Sequence, residues 1–450
     1  MMVQVFLMSS FLISSTLFKV DASYLAQVLQ KAKDGDKIIL QGGVYKGNVV
    51  VDKNVYIDGQ KISVVDGGGS GHVIYIKSPC TIKNLIIKNS GRDVLHEDSG
   101  IMVENTTGVY LEGNRIENTL FGIYLKNSED IIIRDNIILG NEKEPFQFRG
   151  DGIRLWYSRK VLIEKNYVEN MRDVVIWYSN DVRVIGNHVI NSRYGLHYMY
   201  SDGNILEGNE FYGNVVGAFL MFSKQILIRK NVFGSSKYLT GIGVGFKDAS
   251  YIVLTENLII DNSVGIYLAN SPEFRGGSIS EDIQEDDILS KKKFGNIIKR
   301  NVFAFNIVAV RVLPPSFPNL ISDNTFVGNL FIAEFEQVLQ DRNFWYSNFF
   351  DIYRGYDKDK DGYGDFPFEY SSLFLEVIAK KPELSFIYFS PLKTVIDIIS
   401  RVLPIFNPPP VFSDARPRMK ADFFGWDRKE RKIKPKLINR IRENIDIFAH

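Results

Sequence analysis

An asparagine recurs along this chain at a nearly constant interval, and an apolar residue follows each copy two positions later. The copies are Asn114, Asn136, Asn166, Asn187, Asn209, Asn231, Asn257, Asn301 and Asn324. Most intervals are 21 to 23 residues; we interpret intervals of 30 and 26 as insertions and one of 44 as two periods. A fixed period of this size is typical of a solenoid, in which each repeat contacts only its neighbours.

The segments around these asparagines alternate apolar and polar residues with period two, which indicates strands. Examples are VLIEKNYV, VRVIGNHV and ILIRKNVF, and the LxxLxL pattern of leucine-rich repeats is missing. We therefore predict an all-β protein, a right-handed parallel β-helix with coils of about 22 residues stacked about 4.8 Å apart. The asparagines should occupy turns, where Asn tolerates left-handed backbone conformations, and hydrogen-bond along the stack.

Four segments are predicted along the chain. Residues 1–22 form an apolar run ending in Val-Asp-Ala, which is typical of a secretory signal peptide. The β-helix should span 23–350, begin with a capping helix in SYLAQVLQKAK (23–33), and include a polar insertion, 271–294, that we expect to be a mobile loop. Residues 351–383 carry an acidic loop, and residues 384–450 form an extension with an amphipathic helix and a basic tail.

Composition narrows the possible functions. The formal net charge of the 450 residues is +1, which does not suggest a nucleic-acid partner. Cys80 is the only cysteine, so a disulfide framework and a Cys-rich zinc site are excluded. Its position in PCTIKNLII predicts a buried strand residue. After the N-terminal run, no apolar stretch is long enough to predict a transmembrane helix.

Four central coils carry an unusual outer face in the strands GIRLWYS (152–158), DVVIWYS (173–179), GLHYMYS (195–201) and GAFLMFS (217–223). Because side chains alternate across a strand, one set should line the core and the other should face outward. The core set includes Tyr157, Tyr178, Tyr200 and Phe222. The outward set comprises Arg154, Trp156, Ser158, Val175, Trp177, Ser179, His197, Met199, Ser201, Phe219, Met221 and Ser223.

Stacking would align Trp156, Trp177, Met199 and Met221 into one column, the Trp–Met column. Flanking coils place Lys126 and Ala269 at the corresponding positions, with an inward Asn instead of Tyr. We therefore predict that the Trp–Met column is confined to the middle coils.

Three interpretations of this face stay open. The first is a second layer of core beneath a loop or terminal segment. The second is a surface, including Arg154 and Phe219, that docks a partner or cargo. The third is direct ligation of Cu(I) by His197, Met199 and Met221, whose imidazole and thioether groups suit that soft ion.

Aspartates alternate in YDKDKDGYGDFPFEY (356–370), which we call the acidic loop: Asp357, Asp359, Asp361 and Asp365. With Gly362, they match the first half of an EF-hand-like loop. The match is partial because Phe368 occupies the twelfth position. A Ca²⁺ site and a solvated turn are both compatible with the pattern.

The stretch FSPLKTVIDIISRVLP (389–404) predicts a helix with Ser390 as its N-cap. One face of it carries Leu392, Val395, Ile396, Ile399 and Val402. Its charged residues argue against a membrane span, so we expect this face to dock on a membrane partner or to stay solvated. The basic tail suits lipid headgroups or an acidic partner.

The chain resembles the NosD family, periplasmic accessory proteins of nitrous oxide reductase maturation. The matching pieces are GDGIRLWYS, RDVVIWYS, RYGLHYMYSDGN, GNVVGAFLMFS, NFWYSNFFDIYRGYDKDKDGYGDFPFEY, SPLKTVIDIISRVLPIF and DARPRM. They cover nearly the whole chain after the predicted signal peptide.

The resemblance implies a non-catalytic β-helix protein of the periplasm, held at the inner membrane by docking on an ABC-type permease with its ATPase. It implies support for assembly of the copper–sulfur centre of nitrous oxide reductase, alongside a copper chaperone lipoprotein. No GxxxxGK[ST] motif is present, so the chain itself should not be the ATPase.

Two rival functions remain. A polysaccharide lyase or hydrolase acting on acidic sugars needs paired carboxylates on one outer face, and Asp151 and Asp173 are the best candidates. Aligned from the strand ends, however, Asp151 lies beside Arg172, which favours an ion pair. The third possibility is a scaffold or adhesin without cargo.

Overall fold

The computed structural model describes residues 17–20, 25–269, 294–313, 318–335, 343–371 and 410–427, with isolated positions 381, 384, 390, 392, 395, 396 and 399. Within these residues the chain forms a right-handed parallel β-helix of about 12 turns with very little helix, which confirms the predicted fold. No described helix is long and apolar enough to cross a membrane.

Most coils contribute three short strands, which pair with those of adjacent coils to form three parallel faces. Face 1 consists of Val49–Val51, Ile74–Ile76, Ser99–Glu104, Phe121–Lys126, Ile153–Trp156, Asp173–Trp177, Tyr194–Met199, Val216–Met221, Ile242–Lys247, Val264–Ala269, Val308–Leu313 and Phe331–Phe335.

Faces 2 and 3 follow in each coil. Face 2 consists of Leu17–Val20, Lys37–Leu40, Val109–Glu112, Glu129–Arg134, Arg159–Glu164, Arg183–Ile185, Ile205–Glu207, Leu227–Arg229, Ile252–Thr255, Asn296–Lys299, Leu320–Ser322, Phe344–Tyr346 and Pro410–Asp414. Face 3 consists of Gly43–Lys46, Arg115–Glu117, Ile137–Leu139, Tyr167–Glu169, His188–Ile190, Glu210–Tyr212, Val232–Gly234, Leu258–Ile260, Val302–Ala304, Thr325–Val327 and Phe349–Phe350. The long strands Tyr56–Asp66 and Cys80–Lys88 run through both faces, and Phe368–Ser371 pairs antiparallel with Pro410–Asp414.

The interior is filled by the apolar residues that alternate inward along every strand. Phenylalanines of successive coils stack there, with ring centroids of Phe303 and Phe326 4.8 Å apart. Cys80 is buried, as predicted, and burial raises the pKa of its thiol to about 12.

The repeating asparagines form an unbroken buried ladder. The Nδ2 of Asn209, for example, donates to Oδ1 of Asn231 at 2.9 Å and to the carbonyl of Val184 at 2.8 Å. This confirms the predicted hydrogen bonding along the stack. The left-handed conformation, however, belongs to the residue before each of the nine asparagines, and not to the asparagine.

The interval of 44 residues was interpreted wrongly. Asn257 donates directly to Oδ1 of Asn301 at 3.0 Å, so the two asparagines belong to adjacent coils. The extra residues are one insertion in the connection between Val264–Ala269 and Asn296–Lys299. All of the predicted loop 271–294 except Phe294 lies outside the described residues.

The first coil is covered by the helix Leu25–Lys31, within the predicted 23–33, which buries Leu25 and Leu29 on the core. Leu17–Val20, inside the segment predicted as a signal peptide, pairs in parallel with Lys37–Leu40. The rest of that segment lies outside the described residues.

Residues 410–427 close the other end of the solenoid and then return along its side; we call them the C-terminal strap. Asp414 takes the next position in the asparagine ladder, where its Oδ2 accepts from Asn348 Nδ2 at 2.8 Å. Further along, Trp426 packs against an apolar patch on face 3 and donates to the carbonyl of Glu256 at 3.1 Å. Part of the predicted basic tail is therefore packed on the β-helix, and residues 428–450 lie outside the described residues.

Candidate functional site

The Trp–Met column exists as predicted on the outer side of face 1. Trp156 pairs in register with Trp177, Trp177 with Met199, and Met199 with Met221, and all four side chains are partly exposed. Parallel pairing places these side chains one coil apart, about 4.8 Å, so they form one continuous surface.

Lysines stand at both ends of this column. Lys126 pairs with Trp156, as predicted, and Lys247 pairs with Met221. The sequence alignment overlooked Lys247, because the coil between Met221 and Ala269 was not among those compared. The soft and aromatic surface is thus limited to four coils.

The prediction that Tyr157, Tyr178, Tyr200 and Phe222 line the core is wrong. Their rings form a second column outside the barrel, with centroids 4.8 to 5.1 Å apart and planes within 13° of parallel. Tyr157 is 55% exposed. We call these four residues the aromatic ladder.

The physical reason is a left-handed residue at the strand end. Each member of the aromatic ladder has a φ near +50°, and such a residue interrupts the alternation of side chains between the two sides of a strand. The serines that follow therefore point inward, and Ser158, Ser179, Ser201 and Ser223 are buried where outward positions were predicted. Their hydroxyls accept backbone N–H groups of the preceding coil, as in Ser179 N–H to Ser201 Oγ at 3.0 Å.

Arg154, Val175, His197 and Phe219 form the neighbouring column on face 1, also in register. Val175 is fully buried there, so this part of the outer face is itself packed. The Arg154 guanidinium lies 5.0 Å from the centroid of Trp177 and 5.3 Å from that of Tyr124. This contact with two aromatic rings is a cation–π arrangement.

Two buried carboxylates lie at the strand ends beside these columns, and each is held by arginine. Asp151 accepts from Arg154 Nη1 at 2.9 Å and from Arg172 Nε at 2.8 Å. One coil further, Asp173 accepts from Arg193 Nε at 2.9 Å, and Arg193 Nη2 also contacts it. The predicted ion pair between Asp151 and Arg172 is confirmed.

The pKa of Asp173 lies below its usual value. Burial alone would raise it, but the close approach of His197 and the ion pair with Arg193 outweigh that effect. Asp173 is therefore charged at neutral pH. Sequence reasoning missed Arg193, although its repetition of the Arg172 position one coil later was a usable signal.

His197 is framed on three sides. Its Nδ1 lies 3.6 Å from Asp173 Oδ2, the Tyr194 ring stacks on it at 4.8 Å, and the Trp177 ring meets it edge-on at 5.3 Å. The side chain is only 13% exposed. Among the described residues, neither ring nitrogen makes a hydrogen bond: Nδ1 is buried beside Asp173 without a partner, and Nε2 is left for a ligand.

A loop covers face 1 just before the Trp–Met column begins. Glu97 accepts from Tyr124 Oη and from Lys126 Nζ, both at 2.8 Å, and Met102 and Tyr124 are buried beneath this region. A loop-covered second layer of core therefore exists on face 1 in these earlier coils, outside the four strands for which it was considered. The four side chains of the Trp–Met column stay partly exposed.

Two further loops border the same edge of face 1. Arg92, next to the covering loop, contacts Glu144 at 3.3 Å, and Phe146 in turn meets Tyr238 with ring centroids 6.2 Å apart. These contacts link three long connections between faces 3 and 1. The open surface is thereby bounded along one edge by ordered loops.

The structure brings together three of the four aspartates of the acidic loop. Carboxylate oxygens of Asp357, Asp359 and Asp361 lie within 4.8 Å of one another, while Asp365 accepts from the backbone N–H of Lys358 at 2.8 Å. Arg416 of the C-terminal strap pairs with Asp361 at 3.1 Å. The three grouped carboxylates suit Ca²⁺ in ligand type.

The predicted C-terminal helix is described only at isolated positions. Ser390 accepts from the N–H of Leu392 at 3.2 Å, which confirms the N-cap. Leu392, Val395 and Ile399 are helical and exposed, and Ile396 is partly buried. Val402 lies outside the described residues.

These features define the molecule as a right-handed parallel β-helix protein with a Trp–Met surface on one face. Residues 37–171 match a family model described as "Right handed beta helix region", and residues 143–353 match "Periplasmic copper-binding protein (NosD)". A Pseudomonas aeruginosa protein named "Probable ABC transporter binding protein NosD" is 27% identical over 399 residues, which is 86% of this chain and 89% of the relative. A Stutzerimonas stutzeri protein of the same name is 25% identical over 388 residues, 85% of this chain and 86% of the relative.

Together, these matches support the assignment of this chain to the NosD family. The A-module of the mannuronan C-5 epimerase AlgE6 from Azotobacter vinelandii is similar in structure, with a TM-score of 0.50 and 13% identity. The alignment covers 71% of this chain and 93% of that module. At this level of identity, the similarity concerns the fold alone.

Proposed function

We propose that this chain is a periplasmic accessory protein of an ABC-type transporter complex that supports maturation of the copper–sulfur centre of nitrous oxide reductase. The names of the two relatives and the copper-binding description of the matched family support it. The observation that carries it is the Trp–Met column, in register over four coils beside a histidine with a free nitrogen. Thioether and imidazole donors on an open face suit the handling of Cu(I).

A non-catalytic role agrees with the state of the buried carboxylates. A sugar hydrolase or lyase needs a carboxyl group free to exchange a proton with its substrate. Asp151 and Asp173 are both buried and paired with arginine. The rings of the aromatic ladder also stack on one another, so the faces of its inner members are not open to stack on sugar rings.

The exposed face of the C-terminal helix is the proposed contact with the permease. Leu392, Val395 and Ile399 are exposed on one side of it, and such a row suits a helix that packs into an apolar groove. The Trp–Met column is the proposed contact with the copper chaperone or the reductase. Docking would hold the protein at the periplasmic side of the inner membrane.

The test is expression of the chain with its permease and ATPase, followed by affinity purification and metal analysis. We expect the complex to co-purify and to carry copper, and a deletion strain to produce reductase without its copper–sulfur centre. Normal reductase maturation in the deletion strain would contradict the proposal. Cleavage of uronate polymers by the purified chain would support the enzyme instead.

A matched pair of variants tests the docking helix. Val395→Asp places a charge on the exposed helix face and should reduce co-purification with the permease. Ile62→Asp changes another exposed apolar residue, on an early coil, which is 60% exposed against 48% for Val395, and it should leave co-purification unchanged. Equal loss in both variants would show that the helix is not the contact.

A further inference from the structure

We propose that face 1 holds a Cu(I) site formed by Nε2 of His197 and the thioethers of Met199 and Met221, with Asp173 as the residue that positions the imidazole. The inference rests on the proposed copper handling and assigns it to particular atoms. Three observations carry it: the spacing of the donor residues, the position of Asp173 beside the imidazole, and the engagement of that carboxylate by Arg193.

The three donor residues are neighbours on the outer side of face 1. His197 and Met199 lie two residues apart on the same side of one strand, about 6.6 Å along it, and Met221 pairs with Met199 one coil away, about 4.8 Å. Methionine side chains are long and flexible, so two thioethers can converge on an imidazole nitrogen across these distances. One nitrogen and two thioethers form a soft donor set that favours Cu(I) over Zn²⁺ or Mg²⁺.

The Asp173 carboxylate lies beside the imidazole: its Oδ2 is 3.6 Å from Nδ1 of His197, a buried nitrogen with no hydrogen-bond partner of its own. Oδ1 of Asp173 accepts from Arg193 Nε at 2.9 Å and from the backbone N–H of Tyr194 at 3.2 Å, which holds the carboxylate in place. A register shift between Asp173 and Val175 makes this possible, because it pairs Asp173 with Tyr194 in the next coil. The carboxylate therefore lies on the Nδ1 side of His197 and leaves Nε2 for the ion. A carboxylate on the second nitrogen of a metal-binding histidine is a common supporting contact.

The surroundings also suit a soft monovalent ion. Asp173 is engaged by Arg193, so it does not offer a free carboxylate to a harder ion. Trp177 pairs in register with Met199 and contacts the His197 ring. An indole ring beside a cation adds a cation–π contact and keeps water away from it.

The experiment is a competition titration of the purified full-length protein with Cu(I) against a coloured Cu(I) chelator. We expect one Cu(I) per chain at this site, with Ag(I) competing and Zn²⁺ not. The double variant M199L/M221L should lower the Cu(I) affinity at least about 100-fold. Met419→Leu changes a partly exposed methionine of the C-terminal strap and should leave the affinity unchanged.

Asp173→Asn tests the positioning role, and the expected loss is about 10- to 100-fold in Cu(I) affinity. Nitrogen NMR of the metal-free protein provides a second readout. The imidazole of the wild type should carry its proton on Nδ1, and the variant should show a mixture of tautomers. Because Asp173 is buried, the variant is first compared with the wild type by circular dichroism and thermal melting. If it is misfolded, the conservative Asp173→Glu and the more peripheral Arg193→Lys provide the same two readouts.

The outcomes separate the claims. Copper binding that survives both M199L/M221L and His197→Asn would overturn this site while leaving copper handling intact. A second outcome is that M199L/M221L and His197→Asn lose Cu(I) binding, while every folded variant of Asp173 and Arg193 keeps the Cu(I) affinity and the imidazole tautomer of the wild type. That outcome would overturn only the positioning role of Asp173. A wild-type chain that binds no Cu(I) would remove both the site and the copper-handling part of the proposed function.

Discussion

Removing one member of the asparagine ladder should destabilise the solenoid far more than removing an asparagine from a nearby turn. Asn166 is fully buried, and its Oδ1 accepts from both the backbone N–H and the Nδ2 of Asn136, at 3.0 and 2.9 Å. Its Nδ2 donates to the carbonyl of Ile133 and to Oδ1 of Asn187, both at 2.9 Å. In Asn166→Ala, the N–H of Asn136 is left without an acceptor inside the barrel.

The expected cost follows from these contacts. An orphaned buried N–H costs about 1 to 3 kcal/mol, and each of the three other lost hydrogen bonds about 1 kcal/mol. The free energy of unfolding should therefore fall by about 4 to 6 kcal/mol. The control is Asn170→Gly, four residues later, because Asn170 lies in the same turn region with a φ of +57° that glycine adopts without strain.

The assay is urea unfolding followed by circular dichroism, with hydrogen exchange to locate the effect. Because each coil contacts only its neighbours, faster exchange should concentrate in the coils that contain Asn136 and Asn187. The control should change stability by less than about 1 kcal/mol. A loss below about 1 kcal/mol in Asn166→Ala, or equal effects in the two variants, would refute the reasoning.

Three further predictions concern ionisable groups. Nδ1 of His188 lies 3.0 Å from Glu210, and this hydrogen bond raises the pKa of His188. NMR titration should therefore give His188 a pKa above about 6.5, and Glu210→Gln should bring this pKa back toward about 6.5. The contribution of the pair to stability is fully present below about pH 6.5 and is lost as the pH rises through the pKa of His188 in the folded state. Cys80, with its thiol pKa raised to about 12, should resist thiol reagents at neutral pH and react once urea unfolds the chain; rapid labelling of the native protein would contradict its burial. The acidic loop should bind Tb³⁺ in competition with Ca²⁺, detected by luminescence sensitised by nearby tyrosines, and Asp359→Asn should weaken the signal; an unchanged signal would place the ion elsewhere.

The repeat alone was enough to predict the class of fold and the alignment of residues into columns. Parallel in-register pairing has one degree of freedom, the offset between coils, and the asparagines fix it. For this reason Trp156, Trp177, Met199 and Met221 could be aligned correctly from four short strands. The same logic predicted the ion pair between Asp151 and Arg172.

The prediction of which side chains point inward failed at the strand ends, where the backbone departs from regular strand geometry. Period-two alternation assigns Tyr157 to the interior, but a left-handed residue at the strand end turns it outward and brings Ser158 in. Positive φ is uncommon for tyrosine, so nothing in its residue type indicated the reversal. The repeated placement of Tyr, Tyr, Tyr and Phe before serine was the only available signal.

The sequence by itself determined the solenoid, its asparagine ladder and the residues that share the Trp–Met column, because these depend on a short-range pattern repeated from coil to coil. Only the tertiary structure decided which other side chains contact these residues and so which of them can form a binding site. The contact of His197 with Asp173 requires a register shift between two strands, and the C-terminal strap meets coils that precede it by well over 100 residues. Such long-range placements are set by packing and hydrogen bonding between distant segments, and a local pattern carries no information about them.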